Sequence, residues 1–195
     1  MFFGSIPALI TPFKEGNVDY NSFNKIIEWS ISEGSHGFVP CGTTGESPTL
    51  NHEEHKKVVE ECIRIVDKRV PIIAGTGSNS THEAIEFTSH AEKSGANAAL
   101  IVTPYYNKPT QEGLYKHFES ISNNTSLPII IYNVPGRSAV DMSIDTMTEL
   151  SKITNIIGVK DATNDLFRPL FTRTKIKKDF CYLSGEDGTA LPYLA

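Results

Sequence analysis

Residues 155–165 read "NIIGVKDATND". Ile156 to Val159 form a continuous apolar run, as expected of a strand covered on both faces in a parallel sheet, and a lysine closes it. Lysine is seldom buried without a partner. Lys160 is therefore either a rim side chain whose ammonium reaches water or a group placed there for its chemistry. Alternation along the strand puts Lys160 on one face with Gly158 and Ile156 and turns Asp161 to the other, so Asp161 does not neutralise it directly.

Six more segments share this pattern: residues 5–10 "SIPALI", 37–42 "GFVPCG", 70–77 "VPIIAGTG", 98–106 "AALIVTPYY", 127–135 "LPIIIYNVP" and 181–187 "CYLSGED". Amphipathic helical patterns lie between them, as in "YNSFNKIIEWSISEG", "NHEEHKKVVEECIRIVDK", "THEAIEFTSHAEKSG" and "IDTMTELSKI". Asn51 with Glu54, and Ser80 with Glu83, have the spacing of capping boxes. Successive strands begin roughly 25 to 34 residues apart, the length of one βα unit repeated. The expected fold is a (β/α)8 TIM barrel formed by residues 1–195 as a single domain. A doubly wound open sheet would carry a Gly-rich phosphate turn after its first strand, and "LITPFKEGNVD" is not one. Seven strands are visible where a barrel has eight, and full barrels run to about 250 residues. The eighth strand and the C-terminal helices are therefore expected to be absent, leaving an open sheet edge.

The 195 residues carry a formal charge of -5 with no basic block, which argues against nucleic acid or an anionic membrane as partner. "TRTKIKKDF" reads as a solvated helix end or loop. The N-terminus is apolar but lacks a positive leader region, and no apolar stretch reaches membrane-spanning length. Three cysteines without Cys-x-x-Cys spacing read as reduced thiols of a cytoplasmic protein.

Barrel chemistry gathers at the C-terminal strand ends. There the sequence places "GTTGES", "GTGSNS", "TPYYNKP", "YNVPGR", "KDATND" and "SGED", rich in hydroxyls and glycine with two lysines, Lys108 and Lys160, and one arginine. Keeping a lysine amine neutral near physiological pH costs roughly 4 kcal/mol, within what burial in an apolar pocket supplies. Such an amine forms Schiff bases with carbonyl substrates. Glycines around Thr43 and Thr44 let backbone N–H groups approach a small carboxylate, unless the segment is only a flexible loop. Tyr132 and Tyr106 offer phenols for proton relay, or equally rim packing. Arg137 is placed to clamp a carboxylate bidentately, or to form a surface ion pair. "HEEH" lacks H-E-x-x-H spacing, so no metal is expected there.

Taken together, "GTTGES", "IAGTGSN", "VTPYYNKPTQEGLY", "YNVPGR" and "IIGVKDAT", in this order, resemble the pyruvate-dependent Schiff-base aldolase superfamily and, within it, the 4-hydroxy-tetrahydrodipicolinate synthase family. The resemblance implies that Lys160 forms an imine with pyruvate, which then attacks L-aspartate 4-semialdehyde. It implies a proton-relay triad of Thr43, Tyr132 and Tyr106, with Tyr106 reaching in from a neighbouring subunit of a homotetramer. It assigns Thr44 and Arg137 to substrate carboxylates and Gly185 to the wall of the pyruvate pocket, with no cofactor. It further implies a feedback site for L-lysine built from Ser47, His52, His55, Asn79, Glu83 and Tyr105. Read without the family, His52 and His55 are the exposed first turn of a capped helix. The sequence departs from the family in reading Lys160-Asp161-Ala162 where many members have Lys-Glu-Ala, and "GRSAVD" replaces a more usual Arg-Thr-Gly. N-acetylneuraminate lyases are the runner-up and generally lack the arginine after the Tyr-Asn-x-Pro turn; an inactive remnant that keeps the motifs is the other alternative.

Overall fold

The structure, a computed structural model, describes residues 1–194. Five strands, β3 (Ile73–Gly75), β4 (Ala98–Val102), β5 (Ile129–Asn133), β6 (Ile156–Asp161) and β7 (Cys181–Ser184), form one parallel sheet in sequence order. The first two expected segments extend this wall by single parallel bridges, Ala8 to Val39 and Phe38 to Ile72. The wall curls on itself. Ile6 and Ala8 from its beginning and Leu183 from its end pack against the same inner cluster of Val39, Ile73, Leu100, Ile130 and Tyr132, and the Cys181 thiol donates to the Phe2 carbonyl at 3.2 Å.

Helices cover the outside: α1 (Tyr20–Ser32), α2 (His52–Val66), α3 (Thr81–Ser94), α4 (Gln111–Ser122), α6 (Ile144–Leu150) and α7 (Phe167–Lys175), with short turns α5 (Pro135–Ser138) and α8 (Ala190–Leu194). Their apolar stripes meet the outward strand residues Ala99, Ile101, Ile129, Ile131, Ile156 and Val159 in a second, larger core. Asn51 and Glu54 close a full capping box on α2. The second expected box is half-made: Ser80 caps α3, but the Glu83 carboxylate turns instead to His52 and Ser78. A small antiparallel hairpin, β1 (Phe13–Lys14) with β2 (Asn17–Val18), was not expected from the sequence; Glu15 and Gly16, both at positive φ, make its turn.

One expectation about β6 fails. Ile129 pairs with Ile156 but Ile130 pairs with Gly158, so Ile157 is an extra residue at a bulge. The bulge flips the alternation upstream of it. Ile156 therefore faces the outer core and Ile157 the inner one, and Lys160 does not share a face with Ile156. Downstream, the alternation is intact.

Phe118 on α4 is fully buried in the outer core. Replacing it with alanine should cost about 3–5 kcal/mol, read as a lower urea midpoint; a loss under about 1 kcal/mol would show that the outer core is not packed as described.

Candidate active site

Strand register brings the key groups together. Tyr132, Lys160 and Leu183 are cross-strand neighbours on β5, β6 and β7. Lys160 Nζ lies 4.5 Å from the centre of the Tyr132 ring. Asp161 points away, its carboxylate accepting from the Thr163 backbone at 2.8 Å and hydroxyl at 2.6 Å. Burial lowers the Lys160 pKa, while the charge of Asp187 opposes the shift; the first effect is larger, so the amine is more easily deprotonated than an exposed one. Burial raises the Tyr132 phenol, with a Thr43 hydrogen bond and the Arg137 charge pulling the other way. A side chain at Gly185 would put its Cβ 3.0 Å from Lys160 Cε, so glycine there leaves the lysine stem its room.

A cavity of about 250 Å³ opens at these strand ends, with Thr43, Tyr132, Arg137 and Ser138 in its wall beside Ser47 and Tyr105. Lys160 and Gly185 are not in that wall; Lys160 meets Tyr132, which is. The loop carrying Thr43 crosses β3 closely: a Cβ on Gly75 would sit 2.2 Å from the Cys41 carbonyl oxygen. Thr11 fastens the loop by donating to the Gly45 carbonyl at 2.7 Å. Thr44 is exposed and outside the cavity wall. Tyr106 is 89% exposed at φ 71° and is outside the cavity wall. Asp187 is the group that sequence reading left unassigned; only its position in "SGED", just after β7, pointed to it.

The six residues of the expected lysine site fall into unequal places. His52 Nε2 meets Glu83 Oε1 at 2.6 Å, and the Ser78 hydroxyl donates to the other carboxylate oxygen. Tyr105 lies near this pair, its phenol raised by burial and by the Glu83 charge. Asn79 accepts from Asn107 through its carbonyl at 3.0 Å, and Ser47 shares the cavity wall with Tyr105. His55 is different. It is not exposed but 2% accessible, stacked on Phe87 at 4.0 Å, with Nε2 2.9 Å from the Gly75 carbonyl oxygen. Its turn of α2 faces β3, so the ring is a core group.

With this geometry in view, the comparisons are direct. The profile of the Dihydrodipicolinate synthetase family matches residues 1–195, and the chain belongs to that family. The 4-hydroxy-tetrahydrodipicolinate synthase of Rhodospirillum centenum is 62% identical over 195 residues, covering 100% of this chain and 67% of the relative. The structure of the chloride-inhibited dihydrodipicolinate synthase from Acinetobacter baumannii complexed with pyruvate matches with a TM-score of 0.95 at 52% identity, over 98% of this chain and 66% of that one. The dihydrodipicolinate synthase of Cyanidioschyzon merolae with lysine bound matches with a TM-score of 0.94 at 38% identity, over 98% and 66% respectively. The chain thus spans about two thirds of the length of the curated relatives it matches.

His55 and His117 are both buried as neutral rings, their pKa values pushed down to about 4 by desolvation. The unfolded chain then binds more protons than the folded one between about pH 6.5 and 4, so stability is full above 6.5 and falls as pH drops through that window, by roughly 3 kcal/mol per ring at most. Urea midpoints should decline from pH 7 to 4.5, and His117→Phe should flatten the decline; an unchanged slope in that variant would remove His117 from the account.

Proposed function

We propose that this chain carries the Schiff-base chemistry of a 4-hydroxy-tetrahydrodipicolinate synthase, condensing pyruvate with L-aspartate 4-semialdehyde at the first committed step toward diaminopimelate and lysine. The observation that carries the reading is Lys160: a half-buried amine with lowered proton affinity, against Tyr132 and flush with Gly185. The Nζ lone pair attacks the pyruvate keto carbon, the carbonyl oxygen takes up protons and leaves as water, and an imine forms. Loss of a methyl proton gives the enamine, whose carbon attacks the aldehyde of the second substrate. That substrate's own amine then displaces Lys160 from the imine carbon, closing the ring and freeing the enzyme. Each step moves a proton, and Tyr132, against Lys160 and in one cavity wall with Thr43, is the nearby relay. Tyr106 completes that relay from a second subunit in a homotetramer; its exposure and positive φ suit a side chain that projects into another copy. The backbone at Thr44 holds the pyruvate carboxylate, and Arg137 in the cavity wall receives that of the semialdehyde. Arg137 also favours the synthase over an N-acetylneuraminate lyase. The chemistry needs no metal or organic cofactor, and the buried, unpaired Cys41, Cys62 and Cys181 suit the reducing cytoplasm.

L-Lysine is the proposed inhibitor, held by Ser47, His52, Asn79, Glu83 and Tyr105. His55 supports that site from within the core rather than by contact.

Incubating the chain with pyruvate and borohydride should add a pyruvate-derived mass at Lys160 and none to Lys160→Arg. Label absent under conditions that label a relative would favour the inactive-remnant reading. For regulation, His52→Ala should weaken inhibition by L-lysine about tenfold without changing the pyruvate KM; inhibition undiminished in that variant rejects the site. His55→Lys is the poorer probe, because it would bury an ammonium in place of a stacked neutral ring.

A further inference from the structure

Behind the pair Tyr132 and Lys160 lies a second pair. Asn133 and Asp161, the next residues on β5 and β6, are also cross-strand partners, and both face outward and are buried. Arg168 on α7 reaches in between: its Nε lies 3.4 Å from Asp161 Oδ2 and its Nη1 donates to Asp141 Oδ2 at 3.0 Å. Its Nη2 donates to the Met142 carbonyl. Asp141 accepts from Asn133 Nδ2 through its other oxygen at 2.8 Å, and Asn133 Oδ1 accepts from the Met142 backbone at 3.1 Å. The result is a closed polar clasp of Asn133, Asp141, Arg168 and Asp161 that spans both strands.

Its location has a reason. The β5–β6 register has already shifted once at the bulge, and a further slip of one residue would turn Asp161 inward and Lys160 outward. Whatever holds Asp161 out holds Lys160 in. A planar guanidinium with three separately directed nitrogens suits this task, and an ammonium does not.

We propose that Asn133, Asp141, Arg168 and Asp161 are positioning residues that fix the β5–β6 register and so seat the Lys160 amine against Tyr132. The proposal rests on the reading of Lys160 as the imine-forming amine. On its inner side Lys160 faces Tyr132 on β5 and the charge of Asp187 after β7, with Arg137 and Glu186 acting on Tyr132. Those groups are untouched by changes in the clasp.

The test uses the 195-residue chain and the variants Asp141→Ala and Arg168→Lys. Asp141 is half exposed, so its variant keeps the core intact if Arg168→Lys does not fold. Trace acetylation with acetic anhydride across a pH series, read by peptide mass spectrometry, reports the Lys160 amine, with exposed Lys25 as internal reference. A loosened clasp admits water, and the Lys160 profile should move to higher pH, with labelling near neutral pH falling about threefold or more while Lys25 stays constant. In pyruvate–borohydride trapping the half-saturating pyruvate concentration should rise with it. A folded Asp141→Ala whose Lys160 profile matches the native chain overturns the clasp. Acetylation needs no pyruvate, so a native Lys160 that acetylates as described but never traps pyruvate overturns the proposed function alone.

Discussion

Side chains alternate along a strand, so the pairing of β5 with β6 decides whether an amine or a carboxylate faces the inside of the wall. Everything at the site depends on that one register. Tyr132 meets Lys160 because they are cross-strand partners, Gly185 gives the lysine stem its space, and Asp161 is held outside by Thr163 and Arg168. Had Asp161 faced inward, its charge would have stabilised the ammonium and kept the amine protonated. The lowered proton affinity of Lys160 is thus a product of backbone geometry before it is a product of any neighbouring group.

The second constraint is crowding where the strand-two loop passes over β3. Gly75 lets the Cys41 carbonyl come close, and Cys41 itself takes a left-handed φ of 53°, a conformation that disfavours side chains. This crossing puts Thr43 within reach of Tyr132. It also places the Gly75 carbonyl where His55 can meet it, so one close approach links the helix carrying His52 to the strand end that bears the proposed chemistry.

Much of this was legible in the sequence. Five of the seven expected segments are sheet strands and the first two join the wall by single bridges, legible because strands covered on both faces are continuously apolar; reading their C-terminal ends pointed to Thr43, Tyr132 and Arg137, which share the cavity wall, and to Lys160, which meets Tyr132. Other features were hidden for physical reasons. The face of Ile156 depends on a bulge set by the pairing with β5, which β6 alone does not encode. The hairpin at residues 13–18 has strands of two residues, too short for any period. His55 lies in the first turn of a capped helix, where the sequence does not say which side abuts β3. The clasp joins residues 133, 141, 161 and 168 from two strands, a loop and a helix, and no local pattern relates them.

The bulge at Ile157 divides β6 into two parts with different freedoms. Upstream, Ile156 belongs to the outer shell under the helices and pairs with Ile129 on the far side of the extra residue. Downstream, from Gly158 to Asp161, each position is committed to a face and to a partner on both neighbouring strands. One extra residue thus separates the strand's entry into the outer layer from the register that seats the lysine.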